Sequence, residues 1–358
     1  MTTAGAACLR CRTAYPRAGL PDRCPACGGF WGYPDGLRWS PPEPRERASG
    51  LRRWAAALGL GAEALPDREL GGEPVRVEGV TLAQEGSRPR GTFKERGAEV
   101  LAAVAARRGL AEVFLDSSGN AGLAVAAACA ARGIACRVLV PASTPADKLR
   151  RIEAAGGSLQ VVPGDRRAAA DAAGRLRGRL PYASHVYQPF FLAGVATLAW
   201  ELEEALGRRD GRVERIVVPS GNGSLLLGLA LGFDALVAAG RLPAVPALHA
   251  VQLAGYAALS PEGPGEPHPG PPTAAGIAVA DPPRREELRR RIAETGGDVT
   301  VVTEAEIAAA REDLAALPEG GLPTDPTGAA AWAGLAKRPD LRREGTVVVL
   351  TSREPELS

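Results

Sequence analysis

Lys94 stands in a setting that suits covalent chemistry with an aldehyde. It follows Gly91, Thr92 and Phe93 and begins a stretch with the apolar spacing of an amphipathic helix. This order places an amine beside a flat aromatic ring and close to a helix N-terminus. A lysine forms a Schiff base readily when its amine is desolvated and its pKa is lowered. Most lysines in a first helical turn are solvated surface residues, so this segment alone leaves both interpretations open.

A second polar segment joins a predicted strand to an alanine-rich helix. The segment 116–122, which includes Ser117, Ser118 and Asn120, directly follows the apolar residues 113–115. Free backbone N–H groups at the positive end of a helix, together with hydroxyl and amide side chains, can hold a carboxylate without an arginine. One serine here would indicate an ordinary N-cap. Two serines, a glycine and an asparagine exceed what capping requires.

A glycine-bearing loop follows the apolar residues 217–218 and opens another helix. Its residues are Ser220, Gly221, Asn222, Gly223, Ser224 and Leu225. Such a loop lets successive N–H groups converge on one phosphate. Leu226 occupies the place of the third glycine of a dinucleotide fingerprint, and the Gly-Lys-Ser/Thr sequence of a Walker A loop does not follow. The loop therefore favours a monophosphate, although any tight strand-to-helix turn can use glycine.

Four of the six cysteines form two Cys-x-x-Cys pairs near the N-terminus, Cys8 with Cys11 and Cys24 with Cys27. Each pair forms a tight turn that can direct two thiolates at one metal ion, and four thiolates make a closed tetrahedral zinc site. Disulfides are the alternative, but nothing in the sequence indicates an oxidising compartment. The pattern favours a structural Zn2+, because four protein ligands leave no open coordination position.

The composition fits an enzyme with a substantial core. The chain of 358 residues is 45% hydrophobic and 4% aromatic, with a net charge of +2. Acidic and basic residues are interspersed, so we expect no surface field suited to nucleic acid or anionic lipid. The first residues lack the features of a signal peptide, and the apolar run 225–231 is too short to span a membrane. We expect a cytoplasmic protein without nucleic-acid or membrane partners.

Short apolar strands alternate with helical patterns along most of the chain. The predicted strands are 113–115, 136–140, 159–162, 216–218 and 347–350. This alternation predicts an α/β fold with largely parallel sheets. Residues 51–60 are expected to form a short helix, and the residues 260–272, rich in Pro and Gly, a surface loop.

The three polar segments, in this order and at this spacing, resemble the fold-type II (tryptophan synthase β-like) pyridoxal-phosphate enzymes. The resemblance rests on Pro-Arg-Gly-Thr-Phe-Lys-Glu-Arg at 89–96, Ser-Ser-Gly-Asn at 117–120 and the glycine-asparagine loop after 219. It extends from Gly71 to Thr351. The chain looks most like the threonine synthases of this family, because N-terminal cysteine ribbons are common among them.

The sequence pattern and the resemblance together predict a two-domain fold preceded by a small zinc ribbon. The ribbon would occupy residues 1–36, and a linker with a short helix residues 37–74. A large cofactor-binding domain would combine 75–97 with 195–358. A smaller α/β domain, carrying the Ser-Ser-Gly-Asn loop, would span 98–194. The family also implies a homodimer.

The resemblance assigns roles toward pyridoxal 5'-phosphate. Lys94 would carry the cofactor as an internal aldimine, with Phe93 beside it. Asn120 would hydrogen-bond the ring hydroxyl of the cofactor, and the loop 220–225 would cradle its phosphate. Thr351, at the end of the last apolar strand, would hydrogen-bond the pyridine nitrogen.

Ser117, Ser118 and Asn120 would receive the carboxylate of a small amino-acid substrate, possibly phosphorylated. Two departures from the family pattern concern this chemistry. Ser352 follows Thr351 where glycines are usual, so either hydroxyl could reach the pyridine nitrogen. Arg90 replaces a small residue ahead of the Gly-Thr-Phe-Lys turn.

Three functions follow as hypotheses. The leading one is a pyridoxal-phosphate-dependent lyase that, like threonine synthase, converts O-phosphohomoserine and water to threonine and phosphate. The second keeps the cofactor but acts as a serine or threonine dehydratase, an ammonia-lyase or a cysteine-synthase-like β-replacement enzyme. The third is a non-catalytic binding protein with this fold.

Lys148 could contact a substrate phosphate, although a helix-surface lysine is the simpler interpretation. His185, His249 and His268 lie outside the cofactor motifs, and His185 alone is worth examining.

Overall fold

A computed structural model describes residues 5–87, 91–208, 211–266, 270–318 and 321–353. Its strands are β1 Ala7–Cys8, β2 Trp31–Gly32, β3 Val75–Val77, β4 Val80–Gln84, β5 Glu112–Leu115, β6 Ala135–Pro141, β7 Gly157–Val162, β8 Arg215–Pro219, β9 Ala247–Leu253, β10 Val299–Val302 and β11 Thr346–Leu350. Its α-helices are α1 Lys94–Arg107, α2 Asn120–Ala130, α3 Ala146–Ala154, α4 Arg166–Leu176, α5 Pro189–Gly207, α6 Ser224–Ala238, α7 Arg285–Glu294, α8 Glu304–Ala315 and α9 Pro326–Ala336. Short 3₁₀ helices span Gly50–Trp54, Ala62–Ala64 and Pro339–Leu341.

The chain forms two compact units, each built from two segments. The first unit comprises the described parts of Met1–Arg68 and Lys94–Val195, and the second those of Glu69–Phe93 and Ala196–Ser358. Phe93 thus ends a segment of the second unit, and Lys94 begins one of the first. The domain boundaries inferred from the sequence remain predictions.

The first unit contains a parallel sheet in the order β5-β6-β7. Val113 pairs with Cys136, and Val138 with Leu159. Because parallel neighbours need a crossover, α2 and α3 connect these strands. The two-stranded antiparallel sheet of β1 and β2 belongs to the same unit. The carboxyl end of β5 leads straight into the segment that begins at Asp116.

The second unit contains a six-stranded sheet in the order β10-β9-β8-β11-β4-β3. All neighbours are parallel except the hairpin of β3 and β4. Val347 pairs with both Thr81 and Ile216, so β11 is an interior strand between β4 and β8. Ser220 follows β8 and Thr351 follows β11, which brings both residues to the carboxyl edge of the sheet. Ligands of open α/β sheets bind at this edge.

These sheets confirm the predicted α/β fold with parallel-rich sheets. The five strands inferred from the sequence are all present, each longer by one or two residues. Residues 51–60 are helical only in the 3₁₀ turn Gly50–Trp54, and turns follow. Glycines with positive φ at 50 and 59 bracket the segment and leave no room for several α-helical turns.

Helices α1 and α5 approach closely within the first unit because glycines lie at their crossing. A Cβ atom built on Gly97 would collide with the ring of Phe191, and one on Gly194 with the carbonyl of Arg96. Phe191 is fully buried. Gly97 lies one turn beyond Lys94, so this crossing positions the N-terminal end of α1.

Gly97→Ala should therefore lower the free energy of unfolding by about 1–3 kcal/mol, the usual range for overpacking a core. Gly174→Ala is the matched control, because that α4 glycine is exposed and its Cβ would meet open space. The control should raise stability by about 0.5–1 kcal/mol through helix propensity. Urea unfolding followed by circular dichroism measures both. Equal stability of Gly97→Ala and wild type would refute the close crossing.

Candidate active site

Lys94 is the first residue of α1, and its side chain is partly exposed. The residues that follow are buried and charged. Arg68 contacts Glu95 at 3.5 Å and Glu99 at 2.8 Å, while Arg132 contacts the second oxygen of Glu99 at 2.8 Å. These ion pairs hold the first turns of α1 to neighbouring parts of the first unit.

The chain has only three lysines, so few side chains can supply the amine that a Schiff base requires. Lys337 donates to the carbonyl of Val301 and pairs with Glu306, both at 3.0 Å. Lys148 lies half-buried on α3. Of the three lysines, Lys94 is the one that begins a helix.

The first unit also presents the loop predicted to hold a carboxylate. Helix α2 begins at Asn120, its N-cap is Gly119, and no side chain caps it. Ser117, Ser118 and Asn120 are partly exposed, and their side chains make no hydrogen bond to any described residue. The first N–H groups of the helix and these side chains are therefore available to an anion.

Asp116, directly ahead of this loop, is buried and has two partners. One carboxylate oxygen accepts a short hydrogen bond from the Tyr182 hydroxyl, and the other meets the Arg166 guanidinium at 2.8 Å. Burial and the charge of Asp116 raise the pKa of Tyr182, so its hydroxyl stays protonated and donates. No local pattern in the sequence marks Tyr182 or Arg166, because their partner Asp116 lies about 50 or more positions away.

His185 lies in the first unit with Lys94. Its ring meets the ring of Phe191 edge-on, with centroids 5.8 Å apart. Burial, with the positive charges of Lys94 and Arg166, lowers the pKa of His185 well below its usual value of 6.5. The imidazole is therefore neutral at pH 7.

His249 instead bonds Asp298 at 2.7 Å near the start of β9 in the second unit. His268 and Arg90 lie outside the described residues.

In the second unit, the glycine-bearing loop opens α6 without a side-chain cap. The loop residues are Ser220, Gly221, Asn222, Gly223, Ser224 and Leu225, and all but Asn222 are buried. Gly223 has a φ of 78°, which favours glycine. A Cβ on Gly221 would collide with the carbonyl of Gly276. The Ser220 hydroxyl is buried and has no hydrogen-bond partner among the described residues.

Thr351 and Ser352 directly follow β11, and both are buried. Their hydroxyls have different hydrogen-bond partners. Ser352 donates to Asp325 at 2.8 Å, and the same carboxylate oxygen accepts from the N–H of Gly328 at the start of α9. The two hydroxyl oxygens lie 3.4 Å apart. The carbonyl of Thr351 accepts the N–H of Phe93 at 3.0 Å, which joins buried Phe93 to this end of the sheet.

The four ribbon cysteines form a cluster in which every pair of sulfur atoms lies within 4.8 Å. Cys8 and Cys27 are 3.4 Å apart, and Cys11 lies 3.6 Å from Cys24. Ligands of a tetrahedral zinc ion with Zn–S bonds of about 2.3 Å would be about 3.8 Å apart. Hydrogen bonds with Thr13 lower the pKa of Cys11 to about 6, while bonding to Cys11 raises that of Cys27 to about 12.

Comparison with known proteins identifies the family. Residues 67–352 match the family described as pyridoxal-phosphate dependent enzyme. The chain belongs to this family, and the prediction of a pyridoxal-phosphate-dependent enzyme is confirmed. Among the described residues, no helix is both long enough and apolar enough to cross a membrane.

Several curated relatives are threonine synthases. The chain is 28% identical over 374 residues to threonine synthase of Methanosarcina acetivorans, covering 96% of this chain and 90% of the relative. It is also 34% identical over 156 residues to mouse L-serine dehydratase/L-threonine deaminase, covering 43% of this chain and 47% of the relative.

Solved structures show the same fold at lower identity. The processed threonine deaminase isoform 2 of Solanum lycopersicum matches with a TM-score of 0.65 and 22% identity, covering 80% of this chain and 86% of the other. Maize serine racemase matches with a TM-score of 0.64 and 21% identity, covering 78% and 84%.

The residues present fit the cofactor of this family. The second unit offers an uncapped helix start and an unpartnered buried hydroxyl at Ser220, as a bound phosphate requires. The first unit offers an amine at the start of α1 and an uncapped α2. The cysteine cluster likewise fits a metal ion of tetrahedral geometry.

The lowered pKa of His185 predicts a pH dependence of stability. Below pH 6.5 the unfolded chain binds a proton at His185 that the folded chain excludes, so the free energy of unfolding falls as the pH falls. As the pH falls from 7 to 5.5, the free energy of unfolding of wild type should decrease by about 1 kcal/mol more than that of His185→Asn. Urea unfolding at several pH values measures this difference. Parallel pH profiles would show that His185 is not buried as a neutral ring.

Proposed function

We propose that this protein is a pyridoxal-phosphate-dependent lyase that converts O-phosphohomoserine and water to threonine and phosphate. The observation that carries the proposal is the similarity to a threonine synthase along 96% of the chain. Lys94 and the two candidate anion sites, at the uncapped starts of α2 and α6, support it.

The family resemblance assigns each part of the cofactor to residues of this chain. Lys94 would hold its aldehyde carbon through Nζ. The N–H groups and hydroxyls of 220–225 would bind its phosphate, Asn120 would bond its ring hydroxyl, and Phe93 would lie beside it. Thr351 is the better donor to the pyridine nitrogen, because the Ser352 hydroxyl is already used by Asp325.

The reaction requires a proton acceptor at the substrate α-carbon. When bound, pyridoxal 5'-phosphate supplies an electron-withdrawing ring that weakens the bonds of this carbon. With the substrate bound, the Nζ of Lys94 would accept the α-proton. Ser117, Ser118 and Asn120, with the first N–H groups of α2, bind the α-carboxylate and orient the α-carbon toward that amine. A neutral hydroxyl at Thr351 leaves the pyridine nitrogen unprotonated, which suits elimination and replacement.

A serine or threonine dehydratase is the second candidate. The 34% identity to the mouse dehydratase over 156 residues favours it. His185 also favours it, because a neutral ring near Lys94 adds no positive charge for a phosphate dianion. Both candidates use the same cofactor residues and differ in the leaving group, phosphate or water. The dehydratase would also release ammonia and a 2-oxo acid.

Purified, cofactor-loaded protein should release phosphate and threonine from O-phospho-L-homoserine in equal amounts. Lys94→Ala should reduce the rate by at least about 10³-fold, since no other lysine can replace its covalent and acid–base roles. Lys337→Ala is the matched control and should keep the wild-type rate, because Lys337 is engaged elsewhere. Release of ammonia from L-serine or L-threonine, without phosphate release, would replace the threonine-synthase proposal with the dehydratase.

We also propose that the cysteine cluster holds one structural Zn2+. Elemental analysis should find about one zinc per chain, because four thiolates complete a tetrahedral site. Cys24→Ser should lose the metal and lower the melting temperature. Cys129→Ala, which removes a buried thiol outside the cluster, should keep it. Metal-free protein with two disulfides would contradict the assignment. The homodimer and the cytoplasmic location remain predictions.

A further inference from the structure

A buried side chain, Gln188, joins the cysteine ribbon to the rest of the first unit by several hydrogen bonds. The Tyr15 hydroxyl donates to Gln188 Oε1 at 2.8 Å. Gln188 Nε2 donates to the carbonyl of Leu20 at 3.1 Å and lies 3.4 Å from that of Pro21. Gln188 has no exposed surface, so these bonds do not compete with water.

The same amide group reaches beyond the ribbon. Gln188 Nε2 also donates to the carbonyl of Tyr182 at 2.8 Å. A flipped amide would set an oxygen against three carbonyl oxygens, so the hydrogen-bond pattern fixes its orientation. Gln188 therefore links the ribbon backbone to the backbone of Tyr182 through a single planar group.

Tyr182 connects this link to the Ser-Ser-Gly-Asn loop. Its hydroxyl donates to Asp116, which directly precedes Ser117. Its ring stacks on Phe114 with centroids 4.9 Å apart. The backbone beside Tyr182 runs along β5, since Ala183 donates to the carbonyl of Phe114 at 2.8 Å. A shift of Tyr182 would move the end of β5 and the loop that follows.

Aromatic and charged contacts hold the ribbon against the same region. The Tyr15 ring packs edge-on against Trp31 of the ribbon and Phe190 of α5, with centroids 4.7 and 4.9 Å apart. Arg177 pairs with Asp22 of the ribbon at 3.4 Å and lies over the Tyr182 ring. The ribbon is thus packed onto the elements that support the loop.

We propose that the ribbon positions the substrate-carboxylate loop, with Gln188 as the positioning residue that joins them. The proposal rests on the role proposed above for Ser117, Ser118 and Asn120. It gives the ribbon a function in substrate binding beyond the stability of its own fold. The phosphate loop of the second unit, at 220–225, has no part in this chain of contacts.

Tyr15→Phe tests the link with the smallest change, because it removes one hydroxyl and keeps the aromatic packing. Gln188→Leu removes all of the side-chain hydrogen bonds of Gln188 and keeps a side chain of similar volume. Tyr33→Phe is the matched control, since Tyr33 is a buried ribbon tyrosine whose hydroxyl has no hydrogen-bond partner among the described residues. Zinc content and melting temperature are measured on each variant to verify that the ribbon is folded.

Hydrogen–deuterium exchange of the peptide covering 116–123 is the first readout, and it requires no substrate. Loss of one buried hydrogen bond corresponds to about a fivefold change in an equilibrium. Exchange in this peptide should therefore become about fivefold faster in Tyr15→Phe, and faster still in Gln188→Leu. Tyr33→Phe should exchange like wild type.

The second readout is the affinity for an amino acid, with L-threonine as the probe. Binding is measured through the change in absorbance of the bound cofactor. The dissociation constant should rise about fivefold in Tyr15→Phe, with pyridoxal 5'-phosphate affinity unchanged within about twofold. Unchanged exchange and unchanged affinity in a zinc-containing Tyr15→Phe would overturn the proposal, as would an equal loss in Tyr33→Phe. Absence of phosphate release by wild type would refute only the proposed reaction, because the exchange readout does not depend on it.

Discussion

The position of the Lys94 amine depends on how closely α1 approaches α5, and glycines at 97 and 194 permit that approach. A covalent cofactor site requires the amine to be fixed within a fraction of an ångström, because the same atom must later reach the substrate α-carbon. The buried carboxylates of Glu95 and Glu99 pair with the partly exposed Arg68 and connect the same helix turn to a neighbouring segment. Loss of Arg68 would remove a cation from beside two buried carboxylates, which destabilises this turn.

In both units the proposed anion site is the start of a helix that has no side-chain cap. Helix α2 begins after Gly119 and α6 after Gly223, whereas α4, α8 and α9 are capped by Asp165, Thr303 and Asp325. Capped helices have their first N–H groups satisfied internally, and uncapped ones have them available for a ligand. Helices α3 and α7 also begin without a side-chain cap, so an uncapped start permits anion binding but does not by itself mark a site.

The sequence predicted those parts of the molecule that local residue order determines. The strands 113–115, 216–218 and 347–350, the start of α1 at Lys94 and the four cysteines all follow from short segments. Asp116 with Tyr182, Ser352 with Asp325 and Tyr15 with Gln188 could not be predicted, because each pair is 27 to 173 positions apart. Their residue types are common in many settings, and only the fold brings them into contact.

The central claim is that Lys94 carries the cofactor, and chemical trapping tests it most directly. Reduction of the loaded protein with borohydride makes the lysine–cofactor bond permanent, and peptide mass spectrometry then locates it. With only three lysines in the chain, the result is unambiguous. We predict the modification on the peptide that contains Lys94 and none on those with Lys148 or Lys337. Modification at either of those lysines, or at none, would contradict the account.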